Sequence, residues 1–158
     1  MMKRIVAVVM TLCFVFVLSG CGSADSGDLF AKFSSDTTRK DIKKMYNVSE
    51  TVNGDGVENF DFIKGISGKL DFSYNSFSDD GHLVSVQWSY FPNENESVAL
   101  NELYDKVYKI YSKSRDYESI TYSTDSNKVK NTAVFEGKNG KKVYITEFED
   151  FLTVSCHY

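Results

Sequence analysis

Two stretches of this chain indicate its fold class: Lys69-Leu70-Asp71-Phe72-Ser73-Tyr74-Asn75 and Val84-Ser85-Val86-Gln87-Trp88-Ser89-Tyr90. In both stretches apolar side chains alternate with polar ones, which is the period of a β-strand with one buried face. Asp79-Asp80-Gly81, which lies between them, is typical of a turn. The sequence therefore predicts an antiparallel hairpin that buries Trp88 together with Val84.

A long amphipathic helix follows the hairpin. Apolar residues recur there every three or four positions: Leu100, Leu103, Tyr104, Val107, Ile110 and Tyr111. This stripe needs an apolar surface to cover it, and the hairpin offers one nearby. We therefore expect Leu103, Val107 and Ile110 to pack on the hairpin face that carries Phe72 and Trp88. Asn93 and Glu96 are candidates to cap the helix start.

The remaining pattern predicts further elements on both sides. Before the hairpin, Thr38 and Asp41 form a candidate capping box for a short helix that ends near Tyr46. After the long helix, four short strands are expected at 118–124, 132–136, 142–148 and 151–157, with an Asn139-Gly140 loop. This order indicates an α+β fold, an antiparallel sheet with helices packed on one face. It also indicates two related halves, each a helix followed by strands.

The first 21 residues have the pattern of a targeting sequence. Met1-Met2-Lys3-Arg4 is basic, Ile5–Val17 is apolar, and Leu18-Ser19-Gly20-Cys21 follows. This order resembles the signal peptide of bacterial lipoproteins, with Leu-Ser-Gly-Cys as the lipobox. The resemblance implies cleavage after residue 20, acylation of Cys21, and an extracytoplasmic protein held on the cell membrane by lipid. An uncleaved transmembrane helix would need about 20 apolar residues, more than this run supplies.

Composition limits the partners of the mature chain. Removing residues 1–20 leaves 16 basic and 22 acidic residues, a formal charge of −6, and the basic residues are scattered. Nucleic acid is therefore not an expected partner. Residues 21–29 are mostly small and polar, as in a flexible tether, and residues 30–158 fall within the usual size of one domain.

The chain resembles the beta-lactamase-inhibitor-protein type of repeat and small outer-membrane lipoproteins. The resemblance rests on the order of its elements and on the lipobox. PepSY-like export domains have comparable elements. In these families a short helical element comes before an antiparallel sheet. No residue motif carries the similarity, so it implies a fold and transfers no site.

Cys156 is the one thiol left once Cys13 is removed and Cys21 is acylated, so no intramolecular disulfide is expected. The alternation of Leu152, Val154 and Cys156 with polar residues places this thiol on the apolar side of a strand. His157 is adjacent, but neighbours in a strand point to opposite faces. A core role is therefore expected for Cys156, and no catalytic residue is assigned.

Two acidic groups could suggest a metal. One comprises Asp79, Asp80 and His82, and the other comprises Glu147, Glu149 and Asp150. Neither has the spacing of a calcium loop or of a zinc site. We expect neither a metal nor a cofactor.

Aromatic residues that lie outside the clear periodic pattern are candidates for an exposed recognition surface: Phe60, Phe62, Phe77 and Phe91. Together with the lipobox they favour a non-enzymatic, lipid-anchored binding domain of the cell envelope, whose partner is a protein or another envelope ligand. Two alternatives stay open. One is an envelope hydrolase or thiol enzyme that uses Cys156 or the acidic loops, and the other is a structural component of an envelope assembly.

Overall fold

The computed structural model describes residues 27–93, 98–120 and 128–158. Within these ranges the chain forms one helix followed by four strands, and then repeats that order. The elements are α1 (Arg39–Met45), β1 (Ser49–Thr51), β2 (Gly54–Ile63), β3 (Ile66–Tyr74), β4 (Leu83–Tyr90), α2 (Leu100–Ser112), β5 (Tyr117–Ile120), β6 (Val129–Gly137), β7 (Lys142–Phe148) and β8 (Leu152–His157). A single 3-10 turn, Lys138–Gly140, joins β6 to β7.

The described strands form one antiparallel sheet in the order β1-β2-β3-β4-β8-β7-β6-β5. Each group of four is a meander, and the two groups meet where β4 pairs with β8. At this seam Trp88 lies opposite Val154, and Val86 lies opposite Cys156. The predicted class, α+β with an antiparallel sheet, is therefore confirmed at this level, although strands dominate.

One face of the sheet holds the core. Residues that pair across neighbouring strands share a face, and one buried row crosses the sheet through Phe72, Val86, Cys156, Val143 and Phe135. We call this the core face. The Tyr111 ring of α2 lies 5.9 Å from the Phe135 ring, and the Tyr46 ring at the end of α1 lies 5.6 Å from the Phe72 ring. Both described helices therefore pack on the core face.

The long helix lies over a different part of that face than the sequence predicts. Its buried residues are Leu103, Val107 and Tyr111, and its main strand contacts are with β7, β5 and β6. The expected packing on the β3–β4 hairpin is therefore wrong. The helix covers strands that follow it, because β5, β6 and β7 place buried apolar side chains beneath it. The N-cap of the helix is Ala99, not Asn93, and Ala99 makes no side-chain capping bond. Glu96, the other predicted capping residue, lies outside the described residues.

The segment Asp28–Phe33 covers the seam between the two groups of strands. Leu29, Phe30 and Phe33 are buried. The Phe30 ring stacks on Tyr111 of α2 at 6.3 Å, and the Phe33 ring meets Phe72 of β3 edge-on at 5.6 Å. Leu29, which the sequence assigns to the tether, is therefore part of the packed core.

A ten-residue strand, β2, lies in a region where the sequence pattern predicts neither a helix nor a strand. Its register shifts between Val57 and Phe60, and Asn59 has a positive φ of 54°, so the alternation that would reveal a strand is broken. Phe62 consequently points into the core, with its ring 5.4 Å from Trp88. The expectation of an exposed Phe62 is wrong.

Trp88 is fully buried, as its alternation predicts. Its indole Nε1 donates to the Phe60 carbonyl at 3.0 Å, across a gap that Gly68 leaves open. A Cβ atom at Gly68 would lie 2.5 Å from that nitrogen, closer than atoms can approach. Val84, expected on the buried face, is 42% exposed because a bulge shifts the register between Ser73 and Tyr74.

Candidate binding face

The second face of the sheet is lined by short polar side chains. Three rows cross it in register: Ser73-Ser85-His157-Lys142, Asp71-Gln87-Ser155-Tyr144 and Lys69-Ser89-Thr153-Thr146. We call this the polar face. Serine, threonine and glutamine side chains there offer hydroxyl and amide groups for hydrogen bonds. Neither described helix packs on this face.

Three stacked phenylalanines border the polar face at one end. The Phe91 ring lies 5.1 Å from the Phe151 ring, which lies 4.2 Å from the Phe148 ring, and the planes are nearly parallel. These residues follow β4, precede β8 and end β7, so they extend the strand rows; we call them the aromatic row. Phe91 is 61% exposed. Phe148 and Phe151 are half-buried beside it, and a contiguous group of apolar side chains in contact with water can mark a recognition surface.

An open cavity of about 350 Å³ lies on the polar face, lined by residues of β3 and β4 and by the β1–β2 turn. Its charged groups neutralise one another. Lys69 Nζ lies 3.2 Å from the Asp71 carboxylate and 3.7 Å from the Glu58 carboxylate. The cavity therefore presents hydrogen-bonding groups without a strong net charge.

The four predicted recognition residues do not form one surface. Phe77 and Phe91 are exposed, but they lie at opposite ends of the β3–β4 hairpin. Phe60 is half-buried and Phe62 is in the core. Only Phe91 belongs to the aromatic row. Sequence reasoning missed the other members of that row, although the Phe148-Glu149-Asp150-Phe151 turn, with an aromatic residue on each side of two acids, is a signal that could have found them.

Cys156 and His157 lie on opposite faces, as strand geometry predicts. The thiol is fully buried on the core face, and this burial raises its pKa to about 11. The His157 ring is exposed on the polar face and meets the Tyr144 ring edge-on at 5.3 Å. Burial favours the protonated thiol, whereas a nucleophile needs the thiolate.

The two acidic groups that could suggest a metal do not form compact clusters in the structure. Asp79 is paired with Lys43 of α1 at 2.7 Å, which holds the pKa of Asp79 below its usual range. Glu147 is buried on the core face, whereas Glu149 and Asp150 are exposed in the β7–β8 turn. In the described part of the chain, no three His, Cys, Asp or Glu side chains gather to hold a metal ion.

No protein-family model, curated protein or solved structure matches this chain. Within residues 27–93, 98–120 and 128–158, no helix is both long and apolar enough to cross a membrane. Cys21 and the lipobox lie outside the described residues.

Proposed function

We propose that this protein is a lipid-anchored, extracytoplasmic binding domain of the bacterial cell envelope, without catalytic activity of its own. The observation that carries the binding role is the polar face bordered by the aromatic row. A broad face of hydroxyl and amide groups, with fixed charges that cancel, suits a partner that lies across several strands. The exposed ring of Phe91 adds the apolar contact that binding surfaces commonly contain.

Site-specific photocrosslinking tests the binding role. A photoreactive amino acid replaces Gln87, which is exposed in the middle of the polar face, in the full chain expressed in its native envelope. The matched control replaces Lys109, which is exposed on α2. We expect a discrete adduct from position 87 only, and we expect Phe91→Ala to weaken it. Equal adducts from both positions, or adducts from position 109 alone, would refute a binding role for the polar face.

The anchor rests on the lipobox, and it is tested separately. Mass spectrometry of the membrane fraction should find a mature N-terminus at Cys21 with acyl groups attached. Cys21→Ser should leave the precursor uncleaved, because only the thiol accepts the diacylglyceryl group. A mature N-terminus at any other residue would contradict the anchor.

The thiol-enzyme alternative gains no support from Cys156. Its thiol is buried and its pKa is raised, which is the reverse of the environment that activates a cysteine nucleophile. The acidic loops give the hydrolase alternative equally little, because their carboxylates do not converge. The binding role is therefore the function that the geometry favours.

A further inference from the structure

One end of the sheet combines exposed apolar side chains with the start of the described chain. A single cross-strand row, Thr51-Gly54-Ser73-Ser85-His157-Lys142, marks this end. Directly beyond it lie the β1–β2 turn with Val52, the β3–β4 loop with Phe77, and the β6–β7 turn. We call this the anchor end.

Asp28, near the start of the described chain, is held at the anchor end. The Tyr117 hydroxyl donates to the Asp28 carboxylate at 2.6 Å, and Lys141 Nζ lies 3.7 Å from the same oxygen. Tyr117 starts β5, and Lys141 follows the β6–β7 turn. Cys21 is seven residues before Asp28, and an extended chain covers at most about 3.6 Å per residue. An acylated Cys21 therefore keeps Asp28 within about 25 Å of the bilayer surface.

The exposed apolar side chains are concentrated at the same end. Val52 is 93% exposed, Phe77 is 54% exposed and Val84 is 42% exposed, and they are three of the five exposed large hydrophobic residues in the described part of the chain. Val84 lies at the start of β4, where its carbonyl accepts from the Tyr158 amide at 3.1 Å. Exposing an apolar side chain at a loop tip to water is unfavourable, and burying it at a lipid interface is favourable.

We propose that the anchor end docks on the bilayer that holds the lipid, with Phe77 and Val52 inserted at head-group depth. This inference rests on the proposed lipid anchor. The acyl chains supply the attachment, and the two loop tips fix the orientation of the domain. Charge contributes little, because lysines at this end are paired with carboxylates: Lys43 with Asp79, Lys138 with Asp116 and Lys141 with Asp28. Docking is therefore expected on neutral and anionic bilayers alike.

The orientation has a consequence for the polar face. Phe91 lies at the far end of β4, and the eight residues of that strand extend roughly 25 Å at about 3.3 Å per residue. Docking through the anchor end would point the aromatic row away from the bilayer. A partner would then reach the aromatic row from the side opposite the membrane, whereas the cavity beside the β1–β2 turn would lie next to the bilayer.

Tryptophan quenching in vesicles tests the docking. The full-length, acylated chain is placed on phosphatidylcholine vesicles with brominated acyl chains, as Phe77→Trp, as Val52→Trp, and as the matched control Phe91→Trp. The chain contains one native tryptophan, the buried Trp88, and the unsubstituted protein supplies its background signal. We expect emission from positions 77 and 52 to shift to shorter wavelength and to fall to about half, as interfacial burial implies, and emission from position 91 to stay unchanged.

Two measurements separate this inference from the anchor. Vesicle flotation reports whether the acylated chain is bound to the bilayer at all, and a chain that does not float refutes the lipid anchor together with the docking. A chain that floats, but whose tryptophans at 77 and 52 are quenched no more than the one at 91, refutes only the docking. The Val52 variant guards against disturbance at Phe77, whose ring lies 5.8 Å from the Arg39 guanidinium.

Discussion

The two halves of the sheet share one architecture and cover it by different means. In the first half, α1 to β4, the helix has seven residues and only Arg39 and Ile42 are buried on it. In the second half, α2 to β8, the helix has 13 residues and buries Leu103, Val107 and Tyr111. The core face of the second half is covered by the apolar side chains of its long helix. The first half has too short a helix for that, and it uses an ion pair and the aromatic residues of the Asp28–Phe33 segment.

The ion pair is buried and bidentate. Arg39 Nε donates to Asp55 at 2.8 Å, Arg39 Nη2 donates to the other oxygen of the same carboxylate at 2.8 Å, and Nη1 donates to the Phe77 carbonyl. The Arg39 guanidinium holds the pKa of Asp55 below its usual range. A short helix can therefore be fixed to a sheet by a buried ion pair, whereas a long helix is fixed by its apolar stripe.

Removing the buried carboxylate charge should have the largest effect. We expect Asp55→Asn to lower the free energy of unfolding by about 3–5 kcal/mol, because the buried Arg39 loses its bidentate partner and keeps only the exposed Glu50 carboxylate, 3.3 Å from its Nη2. Urea denaturation measures the loss. The matched control is Asp79→Asn in the exposed pair with Lys43, for which about 0–1 kcal/mol is expected. Equal losses for the two variants would show that the first half does not depend on its ion pair.

Acid should narrow the difference between Asp55→Asn and the unsubstituted protein. Because folding lowers the pKa of Asp55, its charge stabilises the folded state above the ordinary aspartate pKa of about 3.9. This contribution is lost as pH falls through the lower folded pKa. The difference in denaturation midpoint between Asp55→Asn and the unsubstituted protein should therefore be smaller near pH 3 than at neutral pH. A difference that does not change with pH would contradict the charge as its cause.

Truncating the apolar stripe is the corresponding test of the second half. Leu103→Ala should cost about 2–5 kcal/mol, since the side chain is fully buried over β7 and its neighbours. Asn101→Ala, at an exposed position of the same helix, should change stability by less than about 0.5 kcal/mol. A denaturation midpoint for Leu103→Ala equal to that of the control would disprove this packing.

The helix starts should respond with opposite signs. α1 begins with a complete capping box, in which Thr38 and Asp41 bond each other's backbone amides, so Thr38→Ala should cost about 1 kcal/mol. α2 begins at Ala99, which has extended backbone angles and no capping side chain, so Ala99→Ser should gain about 0.5–1 kcal/mol. Melting temperatures of both variants check this. A loss in both would mean that capping does not distinguish the halves.

The smallest effect is expected at the seam between the halves. In the acylated protein, a water-soluble alkylating reagent should leave Cys156 essentially unmodified until the domain is denatured. With a pKa of about 11, only about one thiol in 10⁴ is ionised at pH 7, and the sulfur is buried as well. Mass spectrometry measures the labelling. Rapid stoichiometric labelling of the native protein would show that the β4–β8 seam opens, and it would support the thiol-enzyme alternative.

Local features of this molecule were predictable from the sequence. The alternation around Trp88, the three-and-four spacing from Leu100 to Tyr111 and the capping box at Thr38 each arise from neighbours in the chain, and the structure confirms all three. The inward position of Cys156 follows from the same alternation. These features are set by backbone period and hydrogen-bonding chemistry, which a short window of sequence contains.

Only the tertiary structure decided how these elements combine. β2 was hidden by its bulge, so Phe62 could not be assigned to the core from its neighbours. Phe91 is far in sequence from Phe148 and Phe151, and it stacks with them because β8 pairs with both β4 and β7. The position of α2 likewise depends on which strands lie beneath it. Such contacts join residues far apart along the chain, and the pairing of strands, which no local pattern specifies, brings them together.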